Sequence, residues 1–179
     1  MSICVETVMI MKRLGLNLRR IAAFGLGLMM LVMLWGAIAP PAAATDYNNR
    51  FLNGVDFSGQ DLRDSQFKSA DVRQSDFSHA NLEGVTFFSA NMDSVNLEAA
   101  NLQFAMLGSA RLTRANLHNA NLEGALAMGA RFNGANIDGA DFTDVLLRED
   151  IQMELCDRAT GTNPTTGRAT RDTLLCDYL

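Results

Sequence analysis

At 179 residues the chain has room for one domain of ordinary size, and its formal charge of -5 makes it mildly acidic. That balance argues against a protein whose task is to hold nucleic acid, and no nucleic-acid partner is expected.

The first 44 residues differ from the rest. Lys12, Arg13, Arg19 and Arg20 precede an uncharged run from Ile21 to Ile38, which is followed by Pro40-Pro41 and Ala42-Ala43-Ala44. A basic flank, an apolar centre and a small-residue triplet have the form of a secretory signal cut after Ala44. The competing reading is an uncleaved anchor, because the apolar run approaches the length that spans a bilayer. The prolines and alanines suit a peptidase better than a continuing helix, so membrane contact is expected only if the segment stays attached. Arg19-Arg20 also has the form of a twin-arginine signal, although basic pairs are ordinary in such flanks. Met9 or Met11 would serve equally well as a start. Removing residues 1–44 leaves 11 Lys+Arg against 19 Asp+Glu, a net of -8, and leaves Cys156 and Cys176 as the remaining cysteines.

From Leu52 to Leu147 every fifth residue is apolar: Leu52, Phe57, Leu62, Phe67, Val72, Phe77, and so on without a break. Ala, Ser or Val stands two residues before nearly all of them, with Arg50 and Gln60 the exceptions, and the residue between is most often Asn or Asp. Residues two apart on an extended backbone point the same way, so the small and the large residue face inward and the Asn or Asp faces out. In a helix five steps turn the side chain by about 500°, which smears the pattern around the axis. The other two residues of each unit, often Gly or Ser, must turn a corner. The chain is a coil of short sides and corners, a solenoid.

Eight units lack Asn or Asp at the outward middle position: Phe51, Gln66, Thr86, Met106, Arg111, Leu126, Arg131 and Leu146. Counted modulo twenty they fall in two columns, whereas a turn of fifteen would scatter them. Four sides and twenty residues per turn are expected, giving five turns over 50–149.

Units such as Ala80-Asn81-Leu82, Ala100-Asn101-Leu102, Ala115-Asn116-Leu117 and Ala120-Asn121-Leu122 resemble the tandem A-[ND]-L-x-x of the pentapeptide-repeat family. The resemblance covers about a hundred residues and implies an all-β solenoid, a right-handed quadrilateral β-helix, which agrees with crossover chirality. Turns stacked about 4.8 Å apart would make a rod roughly 24 Å tall. Arg50 and Gln60 suggest a frayed first turn, and Ala127 a locally thinner core. The inward phenylalanines invite a ligand-cavity reading, but so narrow a coil is filled by its own side chains, and no cofactor is expected.

The five-residue pattern stops after Leu147. Arg148 to Cys156 has the form of a short helix with Leu147, Ile151 and Leu155 on one face, suited to plugging the last turn. A turn-rich loop follows, and Thr173 to Cys176 begins a second short helix. The expected organisation is a signal at 1–44, the β-helix at 45–149 and a helical cap at 150–179. Two cysteines in an exported chain suggest a Cys156–Cys176 disulfide. The alternative is a metal site, but no further Cys or His lies near enough to complete one. The tail, with its Asn163-Pro164-Thr165-Thr166-Gly167 turn, resembles that of exported pentapeptide-repeat proteins of the cyanobacterial and chloroplast thylakoid lumen. This resemblance implies a location in the thylakoid lumen or the periplasm.

Nothing in the chain has the pattern of a catalytic site. His79 and His118, the two histidines, fall two turns apart and are expected to be solvated surface residues. Gly-rich phosphate loops and nucleophile elbows are absent, and the carboxylates recur with the repeat instead of pairing uniquely. No enzyme is expected. The surface is more informative. One face carries Met106, Leu126 and Leu146 in one column and Phe88 and Met128 in another, with Phe104 at the adjacent corner. The next carries Arg73, Arg111, Arg114 and Arg131 among Asp71 and Asp93, and the other two are acidic.

Outward apolar residues in rows mark a contact surface. Either a partner protein or a second copy binds there, or the chain's own N-terminal segment or tail folds over it. Two functions follow from different classes: a non-catalytic structural or interaction module of an exported compartment, or, as some family members do, mimicry of the acidic DNA rod to inhibit a topoisomerase. The export signal and the arginine-bearing face both count against the second.

Overall fold

Every parallel β-bridge of the repeat region joins residues twenty apart, from Asp46 with Gln66 to Leu126 with Leu146. In this computed structural model, which describes residues 45–63 and 65–178, one turn therefore takes twenty residues and has four sides. Each side is a single bridge wide, so among the described residues the solenoid forms no extended strand. The four walls are identified below by one residue each, as the Met106, Arg111, Asn116 and Asn121 walls in chain order. The signal segment and the cut after Ala44 lie outside the described residues.

The five-residue period follows from where the backbone hydrogen bonds go. The Asn101 N–H donates to Ala80 O of the turn before (3.0 Å), while Leu102 and Phe104 donate to Asn121 O (2.7 Å) and Glu123 O (2.9 Å) of the turn after. Ala105 closes the corner on Leu102 O at 3.1 Å. That leaves the N–H of Gln103, which donates to the Asn101 side-chain Oδ1 at 3.2 Å. Every donor of the unit is used, as backbone largely shut away from water requires. The Asn or Asp therefore does more than face solvent, because it accepts from the one donor the ladder leaves over. Its Nδ2 also bonds from turn to turn, Asn116 to Asn96 Oδ1 at 3.0 Å and Asn136 to Asn116 Oδ1 at 3.2 Å.

Among the described residues the corner of each unit is left-handed, with φ of 58° at His79, 57° at Ser89 and 69° at Gly124. Glycine, Asn and Ser hold most of these positions, as that region of backbone space favours.

The inward residues form a dry column. Leu82, Leu97, Leu102, Leu117 and Leu122 are fully buried, and truncating one to Ala costs about 2–5 kcal/mol. Phe57 stacks on Phe77 (4.7 Å between ring centroids) and Phe67 on Phe87 (5.0 Å), with edge-to-face contacts across the core. Rings on rings leave no space there for a ligand. The first turn is not frayed. Its bridges form from Asp46 onward, one side earlier than Arg50, and Tyr47 stacks on Phe67 at 4.7 Å.

The section at Ala127 is not thinner either. In the lower turns phenylalanines occupy the Met106 and Asn116 walls. In the fifth turn Phe132 and Phe142 come from the other two walls and meet edge to face at 6.2 Å, filling what Ala127 leaves. Each layer thus keeps nearly the same volume.

Beyond the last turn, helix α1 spans Glu149–Cys156 and helix α2 Thr170–Thr173, followed by a 3-10 turn at Cys176–Tyr178. Helix α2 ends where the sequence pattern places a helix start. Leu175 is left-handed (φ 55°) and reverses the chain to bring Cys176 to Cys156, with Cα atoms 5.5 Å apart in the disulfide. Leu155 and Leu174 are buried in the core cluster, with Leu147 and Ile151 packed against it.

The loop between the helices takes over hydrogen bonds that a further turn would have made. Thr160 O accepts from Gly139 N (2.9 Å) and Thr173 Oγ1 from Phe142 N (3.0 Å). Asn163, fully buried, donates to Asn119 O, Ala120 O and Gly139 O, and its Oδ1 accepts from Thr165 N and Thr166 N. Gly161 (φ +77°) passes so close that a Cβ there would lie 2.7 Å from Gly139 N.

The constant-volume layer predicts that Ala127→Phe overfills the fifth turn and lowers stability by about 1–3 kcal/mol. The pair Ala127→Leu with Phe132→Leu should restore most of it. Urea unfolding of both variants beside the wild type checks this.

Candidate interaction surface

The Met106 wall departs most from the repeat. Phe88, Phe104, Met106, Leu126, Met128 and Leu146 all point outward and are between 43% and 58% exposed. Met106, Leu126 and Leu146 form one column through successive bridges. Among the described residues the tail does not cover them. Its contacts run to Asn119, Ala120 and Gly139, to Glu123, Asp141 and Thr143, and to Phe132 O. The reading in which the tail folds over this face is set aside, and the one invoking the N-terminal segment lies outside the described residues. Other exposed apolar residues, Phe51, Met153, Leu175 and Tyr178, sit on the first turn of the Arg111 wall or on the tail.

Two features show that this wall and its entry corner give up local stability. Met106 and Leu126 replace the Asn or Asp that would accept from the N–H two residues on, so Gly108 and Met128 lose the bond that Gln103 and Glu123 keep on the adjacent wall. Each such bond is worth about 1 kcal/mol. Phe104 holds a left-handed corner (φ 57°), a conformation that costs a bulky side chain about 1–2 kcal/mol.

The rings also lie along the rod over glycines of the next turn. A Cβ on Gly108 would sit 3.0 Å from the Phe88 ring, and one on Gly124 would sit 2.7 Å from the Phe104 ring. Gly108 has no positive φ, so its lack of a side chain serves the ring and not the backbone. Sequence reasoning missed both glycines, although a Phe followed twenty residues later by Gly was visible in the register.

The Arg111 wall is less uniformly basic than its composition suggests. Arg73 pairs with Asp71 (2.8 Å) and Arg114 with Asp93 (2.7 Å). Arg111 and Arg131, stacked by a direct bridge and exposed, have no carboxylate partner among the described residues. Like charges opposed in this way repel.

On the Asn121 wall, Asp141 is fully buried. Burial alone would raise its pKa, but hydrogen bonds from Thr143 (Oγ1 2.6 Å, N 2.9 Å) and Thr166 and the charge of Arg168 outweigh it and hold the carboxyl below its usual range. Arg168 reaches Glu123 as well, at 3.3 Å.

The histidines sit apart, as expected, but His118 is not a free surface residue. It is half-buried, with Nδ1 2.9 Å from Asp138 O and Nε2 3.0 Å from Asn119 Nδ2. Among the described residues no three metal-binding side chains gather. A cavity of about 470 Å³ opens between the last turn and the tail, lined by Phe142, Leu147, Gln152, Asp172 and Leu174 among others, and no nucleophile is paired with a base there.

Residues 60–142 match the family described as "Pentapeptide repeat region". The chain is 50% identical to a pentapeptide repeat protein of the Arabidopsis thaliana thylakoid lumen whose crystal structure is known. That alignment covers 73% of this chain and 91% of that one, with a TM-score of 0.72. It is 65% identical over 37 residues to the chloroplast "Thylakoid lumenal 15 kDa protein 1" of Arabidopsis thaliana, a match that spans 21% of this chain and 16% of that protein's length. A pentapeptide repeat protein of Nostoc Pcc 7120 is 27% identical over 60% of this chain and 88% of its own, with a TM-score of 0.49.

The buried Asp141 makes stability depend on acid. Its folded pKa lies below the unfolded one, so its contribution is complete above the ordinary carboxylate value and disappears as pH falls through the lowered value. The thermal midpoint should fall as pH drops from about 5 towards about 2. Asp141→Asn should flatten that fall while lowering the midpoint at neutral pH, as followed by circular dichroism.

Proposed function

The chain belongs to the pentapeptide-repeat family, and we propose that within it this protein is a non-catalytic interaction module of an exported compartment, presenting the Met106 wall of a rigid rod to a protein partner. The fold we assign is the right-handed quadrilateral β-helix of its structural relatives, with α1, α2 and their disulfide as the cover of the last turn. The compartment we assign is the thylakoid lumen, since two relatives are lumenal by description, with the periplasm as the equivalent in a cell without thylakoids.

The observation that carries the reading is the outward column of Met106, Leu126 and Leu146 with its flanking rings. This wall forgoes hydrogen bonds that the Asn116 and Asn121 walls make throughout, and nothing inside the fold gains from the exchange. Departures of this kind from a locally consistent pattern belong to function. Rings already held flat cost little entropy on binding, and clustered aromatic and apolar side chains are what a partner's pocket takes up. Mimicry of DNA fits the surface less well, because the apolar wall and the stacked Arg111 and Arg131 interrupt the anionic surface that the other two walls offer.

The test is capture from a lumenal or periplasmic extract by the wild-type chain and by Met106→Glu with Leu126→Glu. A partner held by the first and lost at least tenfold by the second, with unchanged thermal midpoints, is the expected outcome. Equal capture by both, or a fall in stability without any change in association, removes the Met106 wall from the function. Mass spectrometry of the protein from the exported fraction should find Thr45 as its first residue.

A further inference from the structure

The partner of the Met106 wall has a chemistry that the wall's own edges define. The chain enters this wall from the Asn121 wall, past Glu83 and Glu123, and leaves it towards Arg111 and Arg131. The entry edge is acidic, because the single charge of Arg168 there faces two carboxylates, Asp141 and Glu123, and Glu83 adds a further negative charge. The exit edge is basic, because Arg111 and Arg131 stack without a carboxylate partner among the described residues. Across the wall the order is therefore acidic, apolar, basic.

That order is complementary to itself under one symmetry operation. A two-fold axis parallel to the solenoid sets two Met106 walls face to face with the rods pointing the same way. It carries the entry edge of one protomer onto the exit edge of its partner. Glu123 of one protomer then meets the partner subunit's Arg131, which lies only half a turn further along the chain and so at nearly the same height. Apolar column meets apolar column, and the acidic edge of each copy faces the basic edge of the other. A two-fold axis across the rods, which would set them antiparallel, places Arg111 and Arg131 against their own copies and is repulsive on both edges.

We propose that the Met106 wall joins two copies of this chain side by side and parallel. The proposal rests on the reading of that wall as an interaction surface and goes further by naming the occupant. The arrangement is isologous, as closed homodimers are, with an apolar centre and a charged rim. It brings Glu123 to the stacked Arg111 and Arg131, which lack a carboxylate partner within one copy, and this separates the occupant from an unrelated apolar partner. Phe88 and Phe104, seated over Gly108 and Gly124, are ready to pack without rearrangement.

Sedimentation velocity and light scattering on the full chain, purified as the cell leaves it, test this. The wild type should reach twice the chain mass with a dissociation constant of about 1–100 μM, as an interface at the small end of the size range allows, and should weaken as salt rises. R111E/R131E and E83K/E123K should each be monomeric, the first with a thermal midpoint close to the wild type and the second, which loses the Glu123–Arg168 pair, lower but with the same folded circular-dichroism spectrum. Mixed in equal amounts they should form a heterodimer, since one copy is acidic along both edges and the other basic along both.

A wild-type chain that stays monomeric throughout this range overturns the proposal, as does failure of the mixture to associate. A preference of R111E/R131E for the wild type over E83K/E123K overturns the pairing of charged edges across the wall. The two readings fail separately. A monomeric chain that still captures an extract protein through Met106 leaves the interaction module standing without the dimer, and a monomer that captures nothing ends both.

Discussion

The hydrogen bond from each inward large residue to the carbonyl one turn above, such as Leu102 N to Asn121 O, is the contact on which the rest of this molecule depends. It can form in every unit only if each turn closes in the same number of residues, so the twenty-residue spacing is an absolute constraint on chain length. Inserting or deleting one residue would move every later side chain to another position on its wall. Because each side offers a single bridge, no side is stable by itself. Stability accumulates by stacking, as in other linear repeats.

That regularity makes departures legible as departures. An Asn at the outward position completes the donor accounting of its unit and bonds to the Asn of the turn below, so its replacement by Met106, Leu126, Arg111 or Arg131 costs stability locally. Those four replacements cluster on adjoining walls in the upper turns, where an apolar column runs beside an unpaired basic one. The two glutamate-bearing and asparagine-bearing walls keep the hydrogen bond and serve the fold. Within one architecture, two walls are committed to cohesion and two carry the features that cohesion does not require.

The tail solves a separate problem. The last turn would leave donors, carbonyls and apolar side chains uncovered; Thr160 and Thr173 supply acceptors, Asn163 donates to the Gly139 carbonyl, and Leu155 and Leu174 cover the column. The disulfide holds both helices to that task. Closing a loop of this length contributes about 3 kcal/mol in the chain-entropy account.

The five-residue period, the four walls, the inward column and the pairing of Cys156 with Cys176 were all readable from the amino-acid sequence, because a repeat states its geometry once per unit and twenty units agree. The outward placement of Phe88, Phe104, Met106, Leu126, Met128 and Leu146 followed from the same count. What the count could not supply was anything set by contacts across the coil or beyond it. Tyr47 extends the ladder below Leu52, and Phe132 with Phe142 compensates Ala127 from neighbouring walls. Gly108 and Gly124 make beds for rings twenty residues earlier. Asn163 lies more than forty residues along the chain from two of the carbonyls it holds. Periodicity assigns each residue a direction, but which arginines remain unpaired and which rings lie flat depends on distances between neighbours that only the closed solenoid brings together.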